Sequence, residues 1–199
     1  MKTIYIAILL LFFYNICLAD EAPVVPVPGG TVKPINNNDI QLKNEIINIV
    51  LDQNRYHVEV IYTFQNFGED QKITMGFPNQ TNTIYTSGIK DFSAFDGVTK
   101  LNVYKKFDSD NITGQDTMFN ARTFWECSDV FFKKNEQKTI KNTYSQQYET
   151  DYNDSFRKIK YILTTGSFWK NKIESIVINV NTEGIPENEL QKREAFFLN

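Results

Sequence analysis

Enzymatic and metal chemistry needs side chains that move protons, donate electron pairs or grip a cation, and this chain is sparing with them. Its one histidine is His57, two residues before Glu59. A Ser–His–Asp or Cys–His arrangement would have to use that imidazole, and no serine sits in a glycine-flanked nucleophile turn. His57 reads instead as an exposed strand histidine. The two cysteines, Cys17 and Cys127, combine with a single histidine into no zinc-spaced ligand set. Paired carboxylates for glycoside hydrolysis can always be found among 24 acidic residues, but sequence does not pair them. The segment Asp108-Ser109-Asp110-Asn111 through Asp116 gathers oxygen ligands around Gly114. Ile112 falls where an EF-hand loop requires a ligand and the glycine is misplaced, so the segment reads as a solvated acidic loop. Asp151-Tyr152-Asn153-Asp154-Ser155 is a weaker form of the same pattern. No phosphate-cradling glycine loop or dinucleotide fingerprint occurs. The sequence thus assigns no catalytic residue, no metal ligand and no cofactor.

One cluster suits binding. Tyr144, Tyr148 and Tyr152 crowd a polar stretch with Gln146, Gln147 and Asn153, and Trp169 follows. Exposed aromatics among amides can stack on sugar rings or on another protein. These four are the candidate ligand-binding residues. The competing reading makes them half-buried strand and turn aromatics at the border of a sandwich.

The first residues bear on location. Lys2, the apolar run Ile4–Phe13 and the small side chains near Cys17-Leu18-Ala19 form a secretory leader over residues 1–19, with cleavage before Asp20. The run is too short for a permanent span, and no second apolar run follows. Secretion to the periplasm or beyond is therefore expected, with no integral span after cleavage. Ile16 and Tyr14 stand where a lipoprotein signal wants a small residue and a leucine, which disfavours a lipid anchor through Cys17.

The formal net charge is −3, one unit more negative once Lys2 leaves with the leader. An acidic, mixed surface argues against a nucleic-acid partner, which would need a basic stripe. It also offers no polybasic patch for an anionic membrane. The mature chain keeps Cys127 alone, so an internal disulfide is excluded and a buried apolar role is expected for that thiol.

The elements that would position any site are strands. Residues 20–35 hold four of the six prolines plus Gly29-Gly30 and read as a linker, leaving a single domain over 36–185. Tyr56, Val58, Val60, Tyr62 and Phe64 fall on one face of a period-two run, the signature of a half-buried antiparallel strand. Asn66-Phe67-Gly68-Glu69-Asp70 turns the chain into Lys72–Phe77, and Gly76 with Pro78 is expected to end that strand. Asp96-Gly97 between Phe92–Phe95 and Val98–Tyr104 is the strongest hairpin signal. Further strands are expected at Ile40–Leu51, Arg122–Phe132, Gln137–Tyr144, Phe156–Thr164 and Ile173–Val180, with a polar loop over Lys105–Asn120. The expected fold is all-β, an antiparallel β-sandwich of about nine strands, with a tail or short helix over 186–199. The abrupt Phe196-Phe197-Leu198-Asn199 stop leaves room for further chain. Asn79-Gln80-Thr81, Asn111-Ile112-Thr113 and Asn153-Asp154-Ser155 match the glycosylation pattern, which an asparagine-rich chain produces by chance.

Several segments resemble an uncharacterised family of exported bacterial domains of unknown function, some of them upstream of a YARHG module. Asn38-Asp39-Ile40-Gln41-Leu42 with Glu45 is similar to the family's opening. Tyr62-Thr63-Phe64-Gln65-Asn66-Phe67-Gly68 and Met75-Gly76-Phe77-Pro78 are similar to its next segments, and Tyr161-Ile162-Leu163-Thr164-Thr165-Gly166 with Trp169 and Ile173 to a later one. The resemblance covers Asn38 to Val180, except for an undistinctive middle from Ile84 to Glu149, and no YARHG-like tail follows. It implies an exported β-sandwich and transfers no site residue.

Together these readings lead to an exported, non-enzymatic binding or envelope-associated module, with a cell-envelope glycan or protein as partner. The alternative is a carbohydrate-active or other hydrolase whose carboxylates converge only in the fold. A third is a structural subunit that pairs a long uncovered sheet edge with another chain.

Overall fold

The computed structural model describes residues 33–34, 39–83, 87–107, 122–150, 157–159, 161 and 169–186. Strands in chain order are β1 (Lys33–Pro34), β2 (Ile40–Leu51), β3 (Arg55–Asn66), β4 (Gln71–Gln80), β5 (Lys90–Asp96) and β6 (Thr99–Lys100). They continue with β7 (Val103–Phe107), β8 (Thr123–Phe132), β9 (Gln137–Gln147), β10 (Glu149–Thr150), β11 (Arg157–Lys158) and β12 (Ser175–Asn181). The six-stranded sheet runs β12-β2-β3-β9-β5-β6 and the four-stranded sheet β1-β4-β8-β7, with β10-β11 a separate ribbon. This is the expected all-β sandwich. Among the described residues there is no helix, hence none long and apolar enough to cross a membrane.

The period-two run sets the core. Tyr56, Val58, Val60, Tyr62 and Phe64 are all buried, and the residues between them face outward. Phe64 packs edge-on to Phe132 of the opposite sheet at 6.1 Å between ring centroids and against Trp169 at 4.7 Å. Phe77 of β4 meets Tyr144 of β9 at 5.2 Å. Aromatic pairs at these separations close the gap between the sheets.

Turn chemistry aligns the sheets. Asn66 is fully buried, and its side-chain amide donates to the carbonyls of Glu69 (2.9 Å) and Lys133 (2.8 Å). Its oxygen accepts from the Gly68 amide (2.9 Å) and from Gln71 Nε2 (2.8 Å). One side chain thereby joins the β3–β4 turn to the β8–β9 turn. Gly68 is needed because a Cβ there would lie 2.8 Å from that of Asp39. The Asp96-Gly97 signal does form a hairpin: Phe95 pairs with Lys100 and Asp96 with Thr99, and Gly97 takes a left-handed φ of 58°.

Several local expectations differ from the structure. β4 runs through Gly76 and Pro78, which pair in register with Cys127 and Trp125. Among the described residues β1 pairs with β4 only at Met75 and Gly76, so Pro78 has no described strand on that side, a position where proline is tolerated. Lys33 and Pro34 lie inside the segment read as a linker. The expected Val98–Tyr104 strand is divided, because β6 stays with the larger sheet while β7 crosses to the smaller and continues into the segment read as a loop. β12 pairs with β2 in parallel, a departure from the antiparallel rule elsewhere. Of the expected strand Phe156–Thr164 only Arg157–Lys158 is described as strand, and the tail beyond Pro186 lies outside the described residues.

Candidate functional site

The outward face of the larger sheet carries an open concavity of about 410 Å³. Asn48 and Val50 come to it from β2, His57 and Glu59 from β3, Thr143 and Ser145 from β9, and Asp91 from β5. Register explains the assembly: Asn48 lies opposite Glu59, Glu59 opposite Thr143 and His57 opposite Ser145. All these positions share the parity that leaves the core, so alternation alone lines them up.

Asp91 is placed differently. Between Lys90, opposite Ser145, and Ser93, opposite Thr143, β5 carries two residues against one on β9, a bulge. Asp91 adopts a left-handed φ of 58° there, a conformation that aspartate tolerates better than most side chains. Its carboxylate accepts a 3.0 Å hydrogen bond from the Ser145 hydroxyl. Phe92, the other bulge residue, stacks on Phe77 at 5.0 Å. The bulge thus directs one neighbour into the concavity and anchors the other on the core.

A polar relay crosses the same face. Asn179 Nδ2 donates to Asn48 Oδ1 (2.8 Å), and Asn48 Nδ2 donates to Glu59 Oε1 (3.4 Å). Lys141 Nζ lies 3.4 Å from Glu59 Oε2. Both carboxylates of the concavity are held by hydrogen-bond donors. The site is rich in acceptors, with an imidazole and two hydroxyls beside them.

Of the aromatic residues expected to bind, Tyr144 and Trp169 are core residues, only 3% and 4% exposed. Tyr148 is half-buried, stacked on Tyr56 at 5.6 Å with its hydroxyl donating to the Asp52 carbonyl (2.7 Å). Tyr152 lies outside the described residues. Tyr144, Tyr148 and Trp169 therefore form no exposed aromatic platform. The reason is parity. Tyr144 shares its face of β9 with Ile140, Asn142 and Gln146, all buried, so Gln146, one of the amides that suggest a wet surface, is itself inside, while Gln147 on the opposite parity is exposed and Asn153 lies outside the described residues.

The interior also holds Glu45, fully buried opposite Tyr62 and accepting a 2.6 Å hydrogen bond from the Tyr161 hydroxyl. Burial pushes the Tyr144 and Tyr161 hydroxyls well above their ordinary range. With Glu45 closed off from solvent, this cluster belongs to the packing. Cys127 is a free thiol, fully buried as expected, and burial pushes it up to about 11. His57 is exposed, as expected, but it borders the concavity. Asn79, in one glycosylation-like triplet, is buried and donates to Glu126 (3.0 Å), which leaves it unavailable for modification. The acidic segments 108–116 and 151–155 and the other two triplets lie outside the described residues.

On the outward face of the smaller sheet, Asp129 accepts from Thr74 (2.8 Å) and Tyr104 (3.1 Å) and pairs with Lys72 (2.8 Å). The hydrogen bonds from Lys72 and then Thr74 hold the Asp129 carboxyl below its ordinary value. A depressed folded-state value gives a stabilising contribution present above the unfolded carboxylate range and lost as pH falls through the folded value. Asp129→Asn should therefore flatten the loss of stability between about pH 5 and pH 2, read as urea midpoints across that range. An unchanged acid limb would show that the pairing has no thermodynamic weight.

No family model matches the chain, and no curated protein does. Among solved structures, the chain is similar to a candidate nutrient binding protein from Legionella pneumophila, with a TM-score of 0.57 and 18% identity over 72% of this chain and 50% of that one. It also aligns with an M1 zinc metallopeptidase from Deinococcus radiodurans at a TM-score of 0.33 and 7% identity, over 61% of this chain and 23% of that one, a superposition too partial to carry an argument. The chain thus spans half the length of the Legionella protein, and at that identity the likeness concerns the sandwich fold alone.

Proposed function

We propose that this chain is an exported, non-enzymatic binding module of the exported bacterial β-sandwich kind, and that its ligand seats in the concavity on the outward face of the larger sheet. The observation that carries this reading is the bulge at Asp91. A left-handed aspartate beside a buried serine is a local departure from regular strand geometry, and such departures gather where a side chain must be aimed. The lining of Asn48, His57, Glu59, Asp91, Thr143 and Ser145 offers acceptors first and donors second. That chemistry fits a small ligand bearing hydroxyl and amino groups, such as an amino sugar of a cell-envelope glycan. The nutrient-binding role suggested for the Legionella protein is compatible with it.

The hydrolase reading is less well supported. The concavity is open to solvent, and Glu59 and Asp91 are each engaged by neighbouring donors and lie in no water-excluding cleft.

Titration calorimetry with amino sugars, neutral sugars and short peptides tests the proposal. An amino sugar should bind, and Asp91→Asn should weaken that binding about tenfold while leaving the thermal melt nearly unchanged. Equal affinity in the variant would remove the concavity as the site.

A further inference from the structure

We infer that the free edge of β12 is a homodimerisation edge, on which a second copy of this chain pairs antiparallel about a twofold axis through Ile178. Among the described residues β12 ends the larger sheet and is bonded on one side only, to β2. Its sequence, Ser-Ile-Val-Ile-Asn-Val-Asn, contains no charge and no proline. Those are the devices that keep a natural edge strand from pairing, and a seven-residue edge without them is a template for another strand.

Both faces of β12 are exposed. Ile176, Ile178 and Val180 stand on the parity of Glu45, Ile47 and Ile49, which in β2 is the buried core face. In β12 the same parity is 39%, 46% and 51% exposed. An apolar row continues the core face outward and stops uncovered.

The occupant follows from the order of the residues. When two copies of β12 run antiparallel with Ile178 opposite Ile178, Ile176 meets Val180 and Val180 meets Ile176 on the core face. The other face then sets Ser175 against Asn181 and Val177 against Asn179. Three apolar pairs fall on the face that needs cover, the face that meets water holds amides, a hydroxyl and Val177, and no like charges oppose one another. Self-complementarity of this kind is what an isologous twofold interface requires. The register serves either set of outward-pointing backbone groups, since every opposed pair is related by the axis. The paired edge joins two six-stranded sheets into one continuous sheet, with both sandwiches on the same side. One strand per partner buries an area at the low end of specific interfaces, so the dimer should be weak, with a dissociation constant of about 100 μM.

Sedimentation equilibrium of the purified chain across that concentration, with hydrogen exchange of the β12 amides, reads the pairing. The expected result is a reversible dimer with β12 protection rising with concentration. Ile178→Lys places two ammonium groups face to face and should weaken dimerisation at least tenfold. Mixing Ile178→Lys with Ile178→Glu should restore it, a rescue that misfolded chains cannot give. A chain monomeric throughout, β12 amides protected equally at all concentrations, or a dimer unaffected by Ile178→Lys would each overturn the inference.

Discussion

Phe64→Ala should destabilise the fold by about 4 kcal/mol, the largest effect expected of a single substitution here. Phe64 is fully buried and touches both halves of the sandwich: Tyr62 beside it at 5.9 Å, Phe132 across the gap and Trp169 over its face. Truncation removes a phenyl group's transfer free energy and leaves a cavity between rings that cannot all collapse into it. For a chain of this size the melting temperature should fall by about 12 °C. A urea titration reads the free energy directly, and a loss below about 1 kcal/mol would mean that the sheets do not meet at Phe64.

Asn66→Ala should lower stability by about 3 kcal/mol, although it removes only a few polar atoms. It strands the Glu69 carbonyl, the Gly68 amide and the Gln71 side chain around a fully buried position, and leaves the Lys133 carbonyl with the Glu136 amide as partner. The asymmetry of hydrogen bonding makes this severe, because unmade bonds at a buried site carry the full desolvation penalty. Asn66→Asp is the informative companion. It keeps the acceptor half and turns the donor half into a carboxylate facing two carbonyls, so it should be at least as destabilising as the alanine. If Asn66→Asp were neutral, the donor bonds that join the two turns would carry no weight.

How much of this was legible in the sequence depends on whether the determinant is local. The period-two run from Tyr56 to Phe64 placed the core face because alternation is a property of one strand. Asp96-Gly97 gave a hairpin because its turn preference lies within two residues. Asn66 is recognisable in sequence as turn chemistry, but its bond to the Lys133 carbonyl joins residues far apart in the chain and has no sequence signal.

The candidate site was hidden for the same reason. His57 and Glu59 were visible as the polar face of β3. That face became a lined concavity only through the registers of β2, β9 and β5. The bulge that aims Asp91 is a mismatch between strands, which a single strand cannot reveal. Tyr144 looks exposed in sequence because Gln146 and Gln147 follow it, and composition assigns amides to the surface although this core takes Gln146 in. β12 had the residues of a strand, but parallel pairing to β2 and its position at an edge are facts of topology.

Amide chemical-shift mapping of the labelled chain titrated with an amino sugar locates the ligand on the sandwich directly. The shifts should concentrate on the outward face at Asn48, His57, Glu59, Asp91 and Ser145, where four strands meet. Saturable shifts clustered elsewhere, with these amides unmoved, would contradict the proposed site and place ligand binding outside the concavity.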